Sequence, residues 1–167
     1  MSGVHVIRKK VRFMTENVFI DRDTNQSYDT AEALVNAYIE RFGEGVSTAI
    51  GSQVRFNPLD ADGFTRVKRG SATVGINVMS EADVLIFVAR IMKTPIERTE
   101  ECYRRLLELN YTATSEAAFA VEKSTDTICL RAQRTISGLD YDEFEEMLST
   151  IATVADEWDD HLISEFS

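Results

Sequence analysis

Residues 71–91 read SATVGINVMSEADVLIFVARI, and this stretch decides the fold class. Apolar side chains alternate with polar ones over residues 72–78, which predicts a half-buried strand. Residues 84–91 are apolar on both faces, which predicts the central strand of a sheet. Residues 64–68 predict a partner strand for 72–78 across a short turn. Three consecutive strands joined by short turns indicate an antiparallel sheet.

A helix is predicted on the N-terminal side of these strands. Asp29 or Thr30 caps its start, with Glu32 closing a capping box, and its apolar periodicity predicts an end at Gly43. Residues 4–21 are rich in β-branched and aromatic side chains and predict one or two strands. We therefore divide the chain into an N-terminal extension, residues 1–26, and one domain, residues 27–167.

On the C-terminal side, Thr94 caps a predicted second helix, with Pro95 at its first position, that runs to about Leu109. Two further strands follow, at residues 117–121 and 128–132. Asp140 and Glu143 form a capping box for a last, strongly amphipathic helix. The order α-βββ-α-ββ-α, with an N-terminal strand-like extension, predicts an α+β fold with an antiparallel sheet.

Composition excludes several function classes. The chain has 167 residues and a net charge of −10, which argues against nucleic acid as a partner because phosphate binding needs a basic surface. No apolar run approaches the ~20 residues of a membrane span. The two cysteines, Cys102 and Cys129, have no metal-type spacing and predict a reduced, cytoplasmic protein.

The charge is unevenly distributed. Residues 1–14 contain four basic residues and no acidic one, whereas residues 140–167 contain ten acidic residues and no lysine or arginine. Solvation of an exposed helix face explains such an acidic run. The alternative is that the acidic surface meets a basic partner segment or the basic N-terminus of this chain.

No catalytic constellation is visible. His5 and His161 stand near opposite ends of the chain, and no glycine-rich phosphate loop or nucleophile motif is present. Cys102 and Cys129 fit small core residues better than nucleophiles. We therefore predict a protein that is not an enzyme and needs no cofactor.

A calcium loop over residues 21–32 is an alternative. Oxygen-bearing side chains occupy positions 1, 3, 5, 7, 9 and 12 of a twelve-residue loop, as calcium loops require. Against it, Gln26 stands where a sharp turn needs glycine, and the preceding segment predicts a strand. The six candidate ligands are Asp21, Asp23, Asn25, Ser27, Asp29 and Glu32.

Residues 63–166 resemble the type III secretion chaperone fold, and are particularly similar to the YbjN-like bacterial domains and the Tir-chaperone (CesT-type) group. The resemblance is carried by the paired strands 72–78 and 84–91, Thr94-Pro95, the strands at 118–121 and 128–130, and the last helix from Leu139-Asp140 with Phe144, Leu148 and Trp158. The first ~25 residues depart from the family pattern.

The resemblance implies a non-enzymatic homodimer without cofactor that binds an extended segment of another protein. A YbjN-like regulatory or scaffolding role without secretion cargo is the alternative. Tyr103, Leu106 and Leu107 on the second helix are candidates for the dimer interface, although core packing explains them equally well. Trp158 is a candidate partner anchor that also fits the core.

Overall fold

The computed structural model describes residues 18–167. The predicted strands within residues 4–17 lie outside this range. The elements, in chain order, are β1 (Phe19–Ile20), β2 (Ser27–Tyr28), α1 (Ala31–Ile50), β3 (Phe64–Arg69), β4 (Ala72–Met79), β5 (Val84–Lys93), α2 (Thr99–Thr112), β6 (Ala118–Glu122), β7 (Thr127–Thr135) and α3 (Tyr141–Phe166).

Strands β3 to β7 form one antiparallel sheet in the order β3-β4-β5-β7-β6. β5 is its central strand, as the apolar run at residues 84–91 predicts. Strands β1 and β2 form a separate hairpin, which crosses the predicted boundary between extension and domain at residue 26. The predicted α+β class, with its order of helices and strands, is confirmed.

All three helices cover the same face of the sheet. Phe87 of β5 is fully buried beneath Phe144 of α3, with ring centroids 5.6 Å apart. Phe119 of β6 pairs with Leu130 of β7, which pairs with Ala89 of β5, and Ala89 lies on the same face as Phe87. Helix α2 contacts β6. The opposite face of the sheet carries no helix among the described residues.

Helix α1 continues beyond the predicted end at Gly43 to Ile50. Its end is set by Gly51, which has a φ of 70° and donates its N–H to the Ser47 carbonyl. Gly43 instead lies inside the helix where another segment packs closely: a Cβ there would come 3.4 Å from both the Phe56 ring and the Val54 carbonyl oxygen. Gly43 is therefore an interior position of the helix, where a Cβ would be in ordinary van der Waals contact.

The predicted start of the second helix at Thr94 is wrong by about one turn. β5 continues to Lys93, and the Thr94 N–H donates to the Asp126 carbonyl at 3.0 Å, so Thr94 still belongs to the sheet edge. Helix α2 begins at Thr99, whose hydroxyl donates to the Pro95 carbonyl. Strand pairing therefore overrides a favourable capping sequence.

Of the two predicted capping boxes, the one at the start of α3 is formed and the one at the start of α1 is not. In α3, the Asp140 side chain accepts from the Glu143 N–H at 2.8 Å and the predicted box is complete. In α1, the Thr30 hydroxyl accepts from the Ala33 N–H at 3.1 Å, so Thr30 is the cap. Glu32 does not close a box with Asp29, because its carboxylate accepts from the Ser80 hydroxyl.

Gly63 precedes β3 and lies beside Val78 at the end of β4, whereas Gly70 lies in the turn between the two strands. It has a φ of 73°, and a Cβ there would lie 2.8 Å from the backbone oxygen of Val78, whereas Gly70 has a φ of 61° and open space around it. Alanine at either position costs about 1–2 kcal/mol of backbone energy. We expect Gly63→Ala to lower the free energy of unfolding by about 1–3 kcal/mol more than Gly70→Ala, because the clash is with backbone.

Urea denaturation of the two variants measures this difference. Equal losses would show that the approach of Gly63 to Val78 does not constrain the fold.

Candidate partner-binding surfaces

Helix α2 carries a row of exposed apolar side chains. Tyr103, Leu107 and Tyr111 follow at intervals of four residues, which places them on one face of the helix. Their exposed fractions are 37%, 69% and 91%. We call these three residues the α2 stripe. Exposed aromatic and aliphatic groups in a continuous row are typical of protein–protein contact surfaces.

The predicted interface residues divide between this stripe and the core. Tyr103 and Leu107 belong to the stripe, whereas Leu106 is 5% exposed and packs with the core. Tyr111 is not among the predicted interface residues, although it follows Leu107 at the same spacing of four residues that separates Leu107 from Tyr103. Ile96, which precedes α2, is 98% exposed.

Trp158 lies half-buried against the core between α3 and α2. The Arg105 guanidinium stands over its ring at 5.5 Å, and the His161 ring is 5.7 Å away. The indole N–H is buried and has no acceptor among the described residues. The structure therefore places Trp158 at the junction of two helices, not on the α2 stripe.

A groove of about 1190 Å³ runs along the outer side of α1. Its floor is the helix face of Ala33, Ala37 and Glu40, and its far wall is the segment 53–57, which we call the strap. The strap packs on α1 through Phe56, whose ring stacks on Phe42 at 5.7 Å between centroids. No periodicity in the sequence predicts this segment, because the strap is neither a helix nor a strand.

Part of the strap backbone has no hydrogen-bond partner among the described residues. The Ser47 hydroxyl bonds both the N–H and the carbonyl of Val54, at 2.7 and 3.1 Å, and so fixes the strap to the helix. Among residues 18–167, the N–H groups of Arg55 and Phe56 have no hydrogen-bond acceptor. A segment with an unpaired N–H group can accept a further strand, and since consecutive N–H groups of a strand point to opposite edges, one added strand would bond either Arg55 or Phe56.

The outer face of the sheet is a second concave surface, of about 810 Å³. Ile86 and Val88 of β5 are half-buried at its centre. Three arginines line it, together with the acidic Glu122 and Asp159; the arginines are Arg66, Arg90 and Arg131. This face is therefore apolar at its middle, and charged side chains of both signs surround that middle.

Arg90 and Glu122 form a two-pronged ion pair on this face. The Nε and one terminal nitrogen of Arg90 each donate to a carboxylate oxygen at 2.9 Å. Thr125 donates a third bond to Glu122 at 2.7 Å. The Arg90 guanidinium and the Thr125 hydroxyl together lower the pKa of Glu122 to about 2. The pair joins the central strand β5 to the edge hairpin β6–β7.

Three of the six candidate calcium ligands make other contacts within the protein. Asp21 accepts from the Asp23 N–H and the Thr24 hydroxyl, and Asp23 forms an ion pair with Arg41 at 3.0 Å. Glu32 bonds Ser80. No group of three or more acidic, histidine or cysteine side chains within residues 18–167 is arranged to hold a metal ion.

The two cysteines and His161 pack against other side chains of the fold. Cys102 and Cys129 are buried, and burial raises the pKa of both thiols above its usual value. His161 contacts Trp158, and His5 lies outside the described residues. None of the helices in residues 18–167 is long and apolar enough to cross a membrane.

The family model CesT_Tir_1 matches residues 50–167, more than half of the chain. The chain belongs to the CesT_Tir_1 family. The match begins at the end of α1 and includes the strap, the whole five-stranded sheet, α2 and α3. No curated protein sequence matches this CesT_Tir_1 protein.

Solved structures show the same fold. A chain of the ExsC–ExsE complex matches with a TM-score of 0.59 and 21% identity, over 78% of this chain and 95% of that one. The HopA1–SchA chaperone–effector complex matches at 0.54 and 7%, over 76% and 97%. The ExoU–SpcU complex from the type III secretion system of Pseudomonas aeruginosa matches at 0.54 and 12%, over 74% and 93%. This CesT_Tir_1 protein therefore has the type III secretion chaperone fold, as the resemblance predicts.

The Arg90–Glu122 pair predicts a pH dependence. Because the pKa of Glu122 is lower in the folded state than the ordinary value of 4.5, the pair stabilises the fold above pH 4.5. This stabilisation is lost as the pH falls from 4.5 towards 2. We expect the free energy of unfolding to fall less between pH 4.5 and pH 2 in Glu122→Gln than in the parent protein. We expect the same of Arg90→Met.

Urea unfolding at several pH values from 6 to 2.5 measures both variants. If both keep the pH profile of the parent, the pair does not hold the Glu122 carboxylate in its charged form.

Proposed function

We propose that this protein is a cytoplasmic, non-enzymatic chaperone of the type III secretion kind, which acts as a homodimer and binds an extended segment of a partner protein. The observation that carries the proposal is the strap, which borders a groove on a secretion-chaperone fold and has two N–H groups, of Arg55 and Phe56, without an acceptor among residues 18–167. A partner segment adds a strand to the strap and seats alternate side chains in the groove. The chaperone–effector complexes of the same fold support this role.

The α2 stripe is the proposed contact between two copies. The stripe is symmetric about Leu107, since a tyrosine stands four residues to either side of it. When two such helices cross antiparallel on a two-fold axis, Leu107 meets its own copy and Tyr103 meets Tyr111 of the other chain. A surface that complements itself in this way is what a two-fold dimer requires.

The partner role and the dimer are separate claims. The groove lies on α1 and the strap, whereas the stripe lies on α2, which shares no lining residue with the groove. A variant on one surface therefore leaves the other intact, and each claim has its own experiment.

We expect Leu107→Glu to weaken dimerisation at least tenfold, because it places two like charges face to face on the two-fold axis. Light scattering coupled to size exclusion measures the mass of the particle over a concentration series. Ile50→Glu is the matched control: Ile50 is also well exposed, at 60%, but lies at the end of α1 away from the stripe. A parent protein that is monomeric at every concentration would contradict the proposed dimer.

We expect Ala37→Arg to reduce partner binding at least tenfold, because Ala37 forms the floor of the groove and arginine fills it. Ala49→Arg is the control, since Ala49 is on the same helix but exposed outside the groove. The tagged parent protein is purified gently from its native cell extract, and the copurifying polypeptide is identified by mass spectrometry. Calorimetric titration with that polypeptide then gives the affinity of each variant.

Equal affinities of the two arginine variants would refute the groove as the binding site. A copurifying signalling or transcription protein, in place of a secreted one, would favour the regulatory alternative.

A further inference from the structure

A row of paired residues crosses the outer face of the sheet, with one arginine on each side of it. Arg66 of β3 is paired in register with Gly75 of β4, Gly75 with Val88 of β5, and Val88 with Arg131 of β7. Paired residues share a face, and neighbouring strands lie about 4.8 Å apart, so the backbones of Arg66 and Arg131 are separated by about 14 Å.

The surface between the two arginines is apolar. Val88 and Ile86, which precedes it on the same face of β5, are both half-buried. The Phe64 ring lies beside Gly75, where a Cβ would come 3.0 Å from the ring. Among residues 18–167 the helices lie on the opposite face, so none of them covers these side chains. Uncovered apolar groups with a charged border are typical of protein–protein contact surfaces.

The charged groups on this face that lack an opposite partner are basic. Both carboxylate oxygens of Glu122 already bond the Arg90 guanidinium. Asp159 belongs to α3, the helix that packs on the opposite face. Within residues 18–167, neither Arg66 nor Arg131 forms an ion pair. In a protein with a net charge of −10, this face is therefore one that attracts acidic groups of a partner.

A partner on this face must satisfy its own backbone. Strands β4, β5 and β7 each have a hydrogen-bonded neighbour on both sides, so no backbone group is left for a bound chain. An extended segment would turn some of its own N–H and C=O groups towards apolar side chains without a partner, which is costly. A helix makes these bonds internally, and its diameter of about 10–12 Å fits between two arginines whose backbones are about 14 Å apart.

We propose that the outer face of the sheet binds an amphipathic helix of a partner protein. The helix lies along β4 and β5 with its apolar stripe on Ile86 and Val88. Acidic residues on one flank of the helix meet Arg66, and those on the other flank meet Arg131. This face shares no lining residue with the α1 groove, so the helix contact does not depend on the proposed function.

Two synthetic peptides test the proposal. Both are amphipathic helices of about 18 residues with leucines three and four residues apart, and glutamates flank the leucines in one peptide and lysines in the other. NMR follows the methyl signals of Ile86 and Val88 in the full chain. We expect the glutamate peptide to shift both signals and the lysine peptide to bind at least tenfold more weakly. Signals that do not move with the glutamate peptide, or equal affinities for the two peptides, would overturn the proposal.

A pair of double variants tests the role of the two arginines. We expect R66E/R131E to lower the affinity for the glutamate peptide at least tenfold. R22E/R104E changes the net charge by the same amount at two exposed residues outside this face, and we expect it to keep the parent affinity. Unchanged methyl signals of the fully buried Ile76 show that each variant is folded. Equal affinities of the two double variants would contradict the flanking contacts.

Light scattering without peptide separates this contact from one between two copies of the chain. We expect R66E/R131E to have the same particle mass as the parent. A lower mass would assign the outer face to a contact between copies and overturn the proposal. None of these measurements uses the copurifying polypeptide, so their failure leaves the groove to be decided by Ala37→Arg, and failure of Ala37→Arg leaves the helix contact intact.

Discussion

Phe144 makes the contact on which the rest of the structure depends. Its ring lies 5.6 Å from both Phe87 in the central strand and Tyr38 in α1, so one side chain joins the sheet to two helices. The Tyr38 hydroxyl in turn donates to the carbonyl of Leu139, just before the α3 capping box. Burial of this cluster, together with nearby acidic groups, raises the pKa of Tyr38 and keeps its hydroxyl protonated as a donor. The contact aligns α1 with α3 and fixes the helices to one face of the sheet.

Placing every helix on one face determines which surfaces remain for other proteins. Within residues 18–167, no helix covers the outer face of the sheet, the strap lies on the far side of α1, and α2 stands at the β6 edge with one row of side chains turned outwards. The strap is fixed to α1 by the Ser47–Val54 hydrogen bond and by the Phe56 ring, so it is already held in place on the helix. A preformed edge of this kind lowers the entropic cost of binding.

The sequence predicted the sheet well because its signals are local and agree with one another. Alternation over residues 72–78, the continuous apolar run that follows and the Asp140 capping box all appear in the structure as expected. The errors occur where a distant segment decides the outcome. Thr94 has every feature of a helix cap, but its N–H is taken by Asp126, 32 residues away. Gly43 resembles a helix end in the sequence, but the helix continues to Ile50 and Gly51 ends it. The apolar residues of the strap follow neither the helical nor the strand periodicity, so nothing in the sequence distinguishes this segment from an ordinary loop.

The two buried thiols have a practical consequence. Cys102 and Cys129 are the only cysteines in the chain, both are enclosed, and burial keeps both protonated at neutral pH. Maleimides and other alkylating reagents attack the thiolate, so these two residues react slowly. A single cysteine introduced on the surface would be the fastest-reacting thiol in the molecule. Fluorophores or spin labels can therefore be attached at a chosen position without first replacing the native cysteines.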